Sequence, residues 1–269
     1  MTLREALAAA AGRLESSGTP RLDAELLMAH ALGVERETLL LSHLDAATPP
    51  NFAGLVDRRA AGEPIAYIIG RRAFWTVDLE VGPGVLIPRP DSETLIEAAV
   101  AHFGEAGPRT ILDLGTGPGS LLLAALDQWP EALGIGVDAS AAALVFASRN
   151  AARLGLADRA LFRLGDWGAG LTERFDLILC NPPYIAVGAS LPRDVAEWEP
   201  AEALHAGAGG LDAYRILAAQ LPALLGGIAC IEIGASQEGA VRKLFEVRGF
   251  TITSRNDLTG HCRCLMLAR

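Results

Sequence analysis

A chain of 269 residues, 51% hydrophobic and 20% charged, has enough apolar material for one large domain, or one of about 180 residues with a small companion. It lacks the composition of disorder, and no apolar run approaches the roughly 20 residues that cross a bilayer, so a membrane protein is not expected. A net charge of −9 gives no basic footprint for nucleic acid, and Cys180, Cys230, Cys262 and Cys264 lack paired metal-site spacing, so no metal is expected and they read as buried free thiols.

The opening Met1-Thr2-Leu3-Arg4-Glu5 carries an early acid and no secretory h-region, so a cytoplasmic location is expected. Residues 1–62 read as a bundle of four or five helices. Leu3, Ala6, Leu7, Ala10 and Leu14 recur at helical spacing, Gly18-Thr19-Pro20 breaks the run, and Leu22, Leu26 and Leu27 begin another before Gly33. A third helix spans Glu35 to Ser42, and a fourth begins at Phe52 and ends near Gly62. The pairs Arg58-Arg59 and Arg71-Arg72 read as solvated faces, and the single lysine beside 22 arginines reads as compositional bias.

Residues 63–90 read as a connector built on a β-hairpin, with β-like pieces at Ile65–Ile69 and Phe74–Val81 between Gly and Pro punctuation. Asp91-Ser92-Glu93-Thr94 then opens a helix whose acidic first turn suits the helix dipole. From 91 to 269 the chain alternates strand and helix. Thr110–Leu114, Gly134–Val137, Ala160–Leu164, Phe175–Cys180 and Ile228–Ile233 read as strands with helices between, and Phe250–Ser254 with Cys262–Ala268 adds a final antiparallel hairpin. The fold class is α/β, a doubly wound, mostly parallel sheet of seven strands.

Four strand ends carry unusual residues. Gly115-Thr116-Gly117-Pro118-Gly119 closes the first strand and opens a helix, where glycines let a ligand approach the backbone. The spacing is GxGxG, not the dinucleotide GxGxxG. Asp138 ends the second strand, where a carboxylate can accept both hydroxyls of a ribose; alternatively it caps the next helix. Asp166-Trp167 follows the third strand and could bind and stack an adenine, or the indole could simply pack on the adjoining helix. Asn181-Pro182-Pro183-Tyr184 follows the fourth. Two prolines stiffen it, and it offers an amide, backbone carbonyls and an aromatic face to a planar NH2 group; taken alone it reads equally as a strand-ending turn.

Taken together, GxGxG, the acid after the second strand and NPPY after the fourth resemble the S-adenosylmethionine-dependent methyltransferases that modify amide or exocyclic amino nitrogens. Among these the chain closely resembles the HemK/PrmC family, the glutamine-N5 methyltransferases of peptide chain release factors. The likeness extends to Leu86-Ile87-Pro88-Arg89-Pro90-Asp91-Ser92-Glu93, Glu199-Pro200-Ala201-Glu202-Ala203-Leu204, Gly209–Arg215, Glu232-Ile233-Gly234 with Gln237, and Asp257–Arg263. Pro118 and Ser120 replace commoner residues of the glycine loop, and Asp91-Ser92-Glu93 varies an acidic-Thr-Glu form.

The resemblance implies the class I methyltransferase fold, with residues 1–62 as a helical substrate-recognition domain and 91–269 as the catalytic domain. It implies S-adenosyl-L-methionine as cofactor and S-adenosyl-L-homocysteine as product, with Gly115, Thr116, Gly117, Pro118, Gly119, Asp138, Asp166, Trp167 and Asn181 around the cofactor. Asn181, Pro182, Pro183 and Tyr184 would hold the glutamine of the GGQ motif of release factors, the catalytic roles falling to Asn181, Pro182 and Tyr184. A monomer with no direct nucleic-acid contact is expected. Two alternatives stand beside this: an N6-adenine-type nucleic-acid methyltransferase, because adenine presents the same planar NH2, and a non-catalytic nucleotide-binding adaptor, which leaves NPPY unexplained.

Overall fold

The computed structural model describes all 269 residues, in two compact units: Met1–Arg71 with Leu191–Trp198, and Arg72–Ser190 with Glu199–Arg269. The first unit is helical. It comprises α1 (Leu3–Arg13), α2 (Pro20–Leu32), α3 (Arg36–Ser42), α4 (Phe52–Ala60) and α5 (Ile65–Ile69), with the short helix Arg193–Trp198, α9 in chain order. A capping box starts α1, the Thr2 hydroxyl accepting from Glu5 N while the Glu5 carboxylate accepts from Thr2 N. Leu3, Leu14, Leu27, Met28, Leu39 and Phe52 form its core.

Two expectations change here. Ile65–Ile69, read as a β-like piece, is helical: five apolar residues have no distinguishing period, and Pro64 before them and Gly70 in the left-handed conformation (φ 78°) after them bound a single helical stretch. The first unit accordingly runs past residue 62. Arg59 is not on a solvated face either; its side chain is 11% exposed and meets the buried Asp23 at 2.7 Å and Asp194 at 3.4 Å.

The hairpin of β1 (Arg71–Phe74) and β2 (Val77–Glu80), all but its first residue in the second unit, opens that unit. Its seven-stranded sheet contains β3 (Thr110–Leu114), β4 (Leu133–Asp138), β5 (Ala160–Leu164), β6 (Phe175–Cys180), β7 (Leu225–Glu232), β8 (Thr251–Asn256) and β9 (Cys262–Ala268), in the order β5-β4-β3-β6-β7-β9-β8. β3 to β7 pair parallel, while β9 runs antiparallel to both β7 and β8. The expected α/β fold with a final antiparallel hairpin is therefore what the chain adopts.

Alternate residues of each strand face opposite layers. Leu112, Leu114, Ile178, Ala229, Ile231 and Leu265 pack against α10 (Asp212–Leu224) and α11 (Glu238–Glu246). The opposite face meets α6 (Glu93–Phe103), α7 (Ser120–Gln128) and α8 (Ala141–Arg153). Every residue of α7 from Leu121 to Leu126 is buried, as its uniformly apolar sequence requires.

The chain leaves β3 toward β4 and β5, then returns to β6 on the other side of β3, so the sheet has its switch point between β3 and β6. Beyond the carboxyl ends at such a point lies a crevice. The register aligns Leu114 with Val137 and with Cys180, Asp138 with Leu164, and Cys180 with Ile231. One step further along, Asp138, Gly115, Asn181 and Glu232 stand in one row across the sheet.

Candidate active site

A cavity of about 410 Å³ occupies that crevice, within the size range of small-molecule sites. Its wall includes Gly115, Thr116, Gly117, Pro118, Asp138, Asp166, Trp167, Asn181 and Pro183. Of the residues singled out in the sequence, Gly119, Pro182 and Tyr184 lie outside the wall.

The glycine loop is held from beneath. Asp113 accepts from Thr116 Oγ1 at 2.6 Å and from Leu122 N at 3.2 Å, tying strand, loop and α7 together. Burial pushes its carboxyl up to about 7, with nearby Asp138 adding to the rise, and its Oδ1 has no partner. Gly119 is the N-cap of α7 at φ 88°, and a Cβ there would come 2.8 Å from Leu123 Cδ1. Only glycine fits both requirements.

Asp138 accepts from Gly117 N and Ser140 N, each at 2.8 Å and each on a different oxygen. The cap of α8 is Ser140, whose hydroxyl accepts from Ala143 N, so Asp138 is not the capping residue. Each carboxylate oxygen keeps a lone pair for a hydroxyl. Trp167 has φ 52°, uncommon for a bulky residue, and its ring lies 3.6 Å from where a Cβ on Gly115 would stand. The indole thus covers the glycine loop.

At the other end, Asn181 Nδ2 donates to Ser92 Oγ at 2.9 Å, and Ser92 Oγ donates to Glu232 Oε2 at 2.5 Å. With Nδ2 engaged, Asn181 Oδ1 is the open acceptor on the cavity wall. Tyr184 points its hydroxyl at Glu232 Oε1 at 3.2 Å, while its carbonyl accepts from Gln237 Nε2 at 3.0 Å, which fixes the turn after Pro183. Burial and then the Glu232 charge raise the Tyr184 phenol, so it donates. A further wall is held by Glu199, which accepts from Ile87 N at 3.0 Å and from Arg89.

The arrangement offers acceptors for a diol, an aromatic cover, backbone donors at a helix N-terminus and an amide oxygen, side by side. Comparison with known proteins places the chain in a family. Residues 5–70 match a family model described as the PrmC N-terminal domain, and residues 108–209 one described as a methyltransferase domain. A release factor glutamine methyltransferase of Rhodospirillum rubrum is 46% identical over 96% of this chain and 82% of its own length. One of Xylella fastidiosa is 46% identical over 96% of this chain and 94% of its own.

The chain belongs to the release factor glutamine methyltransferase family. Among solved structures, the ribosomal protein L11 methylase of Lactobacillus delbrueckii subsp. bulgaricus matches with a TM-score of 0.52 at 20% identity, over 71% of this chain and 84% of that one, a likeness of fold. As a member of this family, the chain is a methyltransferase enzyme, and the adaptor alternative falls.

Sequence reasoning gave no chemical role to several residues in and around this cavity. Ser92, Glu199 and Glu232 stand in the stretches that carry the family resemblance, but their partners lie 89 to 140 positions away in the chain. Asn150 had no signal at all. Fully buried on α8, it accepts from Glu80 N at 2.6 Å and donates to the carbonyls of Glu80 and Pro118 at 3.0 and 2.9 Å. Asn150→Ala strands those groups, so urea unfolding should show a loss of about 2 kcal/mol. A change within about 0.5 kcal/mol, the range of an ordinary surface substitution, would contradict that role.

Proposed function

We propose that the chain transfers a methyl group from S-adenosyl-L-methionine to the side-chain nitrogen of the glutamine in the GGQ motif of peptide chain release factors. The observation that carries this reading is the Asn181 amide, with Nδ2 engaged and Oδ1 open on the wall of a cavity suited to a nucleoside. The substrate class comes from the relatives' names. Those names do not favour the adenine alternative.

The cavity's residues fit the cofactor: Asp138 for the ribose hydroxyls, Trp167 and Asp166 for the adenine, and the loop Gly115–Pro118 for close backbone approach. When bound, it supplies an electrophilic methyl on a sulfonium, whose C–S electron pair passes to sulfur as the new N–C bond forms, leaving S-adenosyl-L-homocysteine. A carboxamide nitrogen is a poor nucleophile because its lone pair is delocalised, and Asn181 does not titrate, so positioning does most of the work. Asn181 Oδ1, on the cavity wall, accepts an amide hydrogen; Pro182, Pro183 and Tyr184 stiffen the turn that carries it, and this acceptor favours the positive charge that develops on nitrogen. The surplus proton leaves to water.

The helical unit grips the release factor away from the reacting glutamine, and the enzyme acts as a cytoplasmic monomer on protein, not nucleic acid. Incubation with labelled cofactor and release factor, followed by mass-spectrometric mapping, tests the reading. Label on the GGQ glutamine is the expected result, and label in DNA or RNA but not in release factor would overturn it.

A further inference from the structure

An Asn side chain can hold a substrate amide NH2 in only one of its two orientations, because one end accepts and the other donates. What selects the orientation of Asn181 lies behind it. Ser92 Oγ bonds Asn181 at 2.9 Å and Glu232 Oε2 at 2.5 Å, and the other oxygen of Glu232 accepts from Tyr184 OH at 3.2 Å. A serine hydroxyl has one proton, and an ionised carboxylate only accepts. The proton therefore goes to Glu232, and Ser92 meets Asn181 as an acceptor. Nδ2 must turn toward Ser92, and Oδ1 must face the cavity whose wall contains both residues. The sheet register puts Glu232 beside Asn181 on the neighbouring strand, and Ser92 is the residue immediately before α6.

We propose that Ser92 and Glu232 are positioning residues that set the polarity of the Asn181 amide, so that the substrate nitrogen always meets an acceptor. The inference rests on the methyl-transfer reading above. Protonation of Glu232 reverses the relay: its hydroxyl can donate to Ser92, Ser92 can donate to Asn181 Oδ1, and the amide then turns its own NH2 toward the substrate NH2. Two donors facing each other hold nothing.

The groups around Glu232 set where this happens. Ser92 and Tyr184 bond the carboxylate, and Arg263 on β9 and Asp91 before α6 act on it through their charges. Arg263 is shared between Asp91 at 3.0 Å and Asp257 at 3.2 Å. Tyr214 on α10 donates to the backbone carbonyl of Glu232, and the buried thiols Cys180 and Cys264 flank it on β6 and β9. Burial outweighs the favourable contacts and pushes the carboxyl up to about 7. The ionised form is the productive one, so transfer rises as pH passes upward through that region.

Single-turnover transfer to release factor, with the cofactor Kd measured alongside, tests the relay in the full-length enzyme. Ser92→Ala should slow transfer roughly 10- to 100-fold with the cofactor Kd little changed, while Ser92→Thr, which keeps the hydroxyl, restores it. Glu232→Gln should remove the acid limb of the wild-type pH profile. Tyr184→Phe, which deletes one donor to the carboxylate, should move that limb to higher pH. The Asn181 side-chain amide signals in a ¹⁵N spectrum read the same relay without turnover: they should titrate near pH 7 in the wild type and not in Glu232→Gln. Equal impairment of Ser92→Ala and Ser92→Thr, a loss confined to cofactor Kd, or Asn181 signals indifferent to Glu232→Gln would overturn the inference. Absence of wild-type transfer to release factor would instead sink the reading it rests on, and the spectra would still decide the relay.

Discussion

Asn181→Ala should lower the single-turnover rate of methyl transfer by about 10³-fold while leaving the cofactor Kd within about twofold, the magnitude expected when one preorganised polar contact to the developing charge is deleted. The substitution removes Oδ1, the acceptor on the cavity wall, and frees Ser92, whose hydroxyl stays bonded to Glu232. It leaves the glycine loop and Asp138 untouched, since neither bonds Asn181. Rapid-quench transfer and calorimetric binding of the cofactor separate the two quantities. Turnover at the wild-type rate would take the amide out of the mechanism, and a large loss of cofactor affinity would make Asn181 chiefly a cofactor ligand.

Asp138→Ala should do the reverse, weakening cofactor binding by about 100-fold, or about 3 kcal/mol, with a much smaller effect on the rate at saturation. The carboxylate holds Gly117 N and Ser140 N, so its loss both loosens the loop and removes the acceptors for a diol. Asp138→Asn should recover little of this. Both backbone partners are donors, and an amide that satisfies one must point its NH2 at the other. If Asn binds the cofactor like the wild type, the two-donor clamp is not what matters at this position.

The strand-and-helix alternation after residue 110 was legible because each element is long enough to show its period, and Gly, Asp and Asn mark the strand ends. Their gathering around one cavity follows from the doubly wound topology, which sends successive parallel strands out at the same edge. Ile65–Ile69 was not legible, because a short apolar run satisfies either period and only its flanking Pro64 and Gly70 bound it. The helix Arg193–Trp198 gave no signal strong enough to place, and it completes a unit whose other residues end at Arg71. Ser92 and Glu232 illustrate the larger gap. Both stand in the stretches that carry the family resemblance, yet their chemistry depends on a contact across 140 positions that only the strand order creates.

The complete burial of Leu121–Leu126 has a consequence for where this enzyme yields and where it does not. Backbone amides with no route to solvent exchange their hydrogens only when the surrounding unit opens as a whole. α7 therefore belongs to the slowest-exchanging part of the unit, and the glycine loop is anchored directly to it through Asp113 and Gly119. The loop that lines the cavity thus rests on a helix with no exposed side from Leu121 to Leu126.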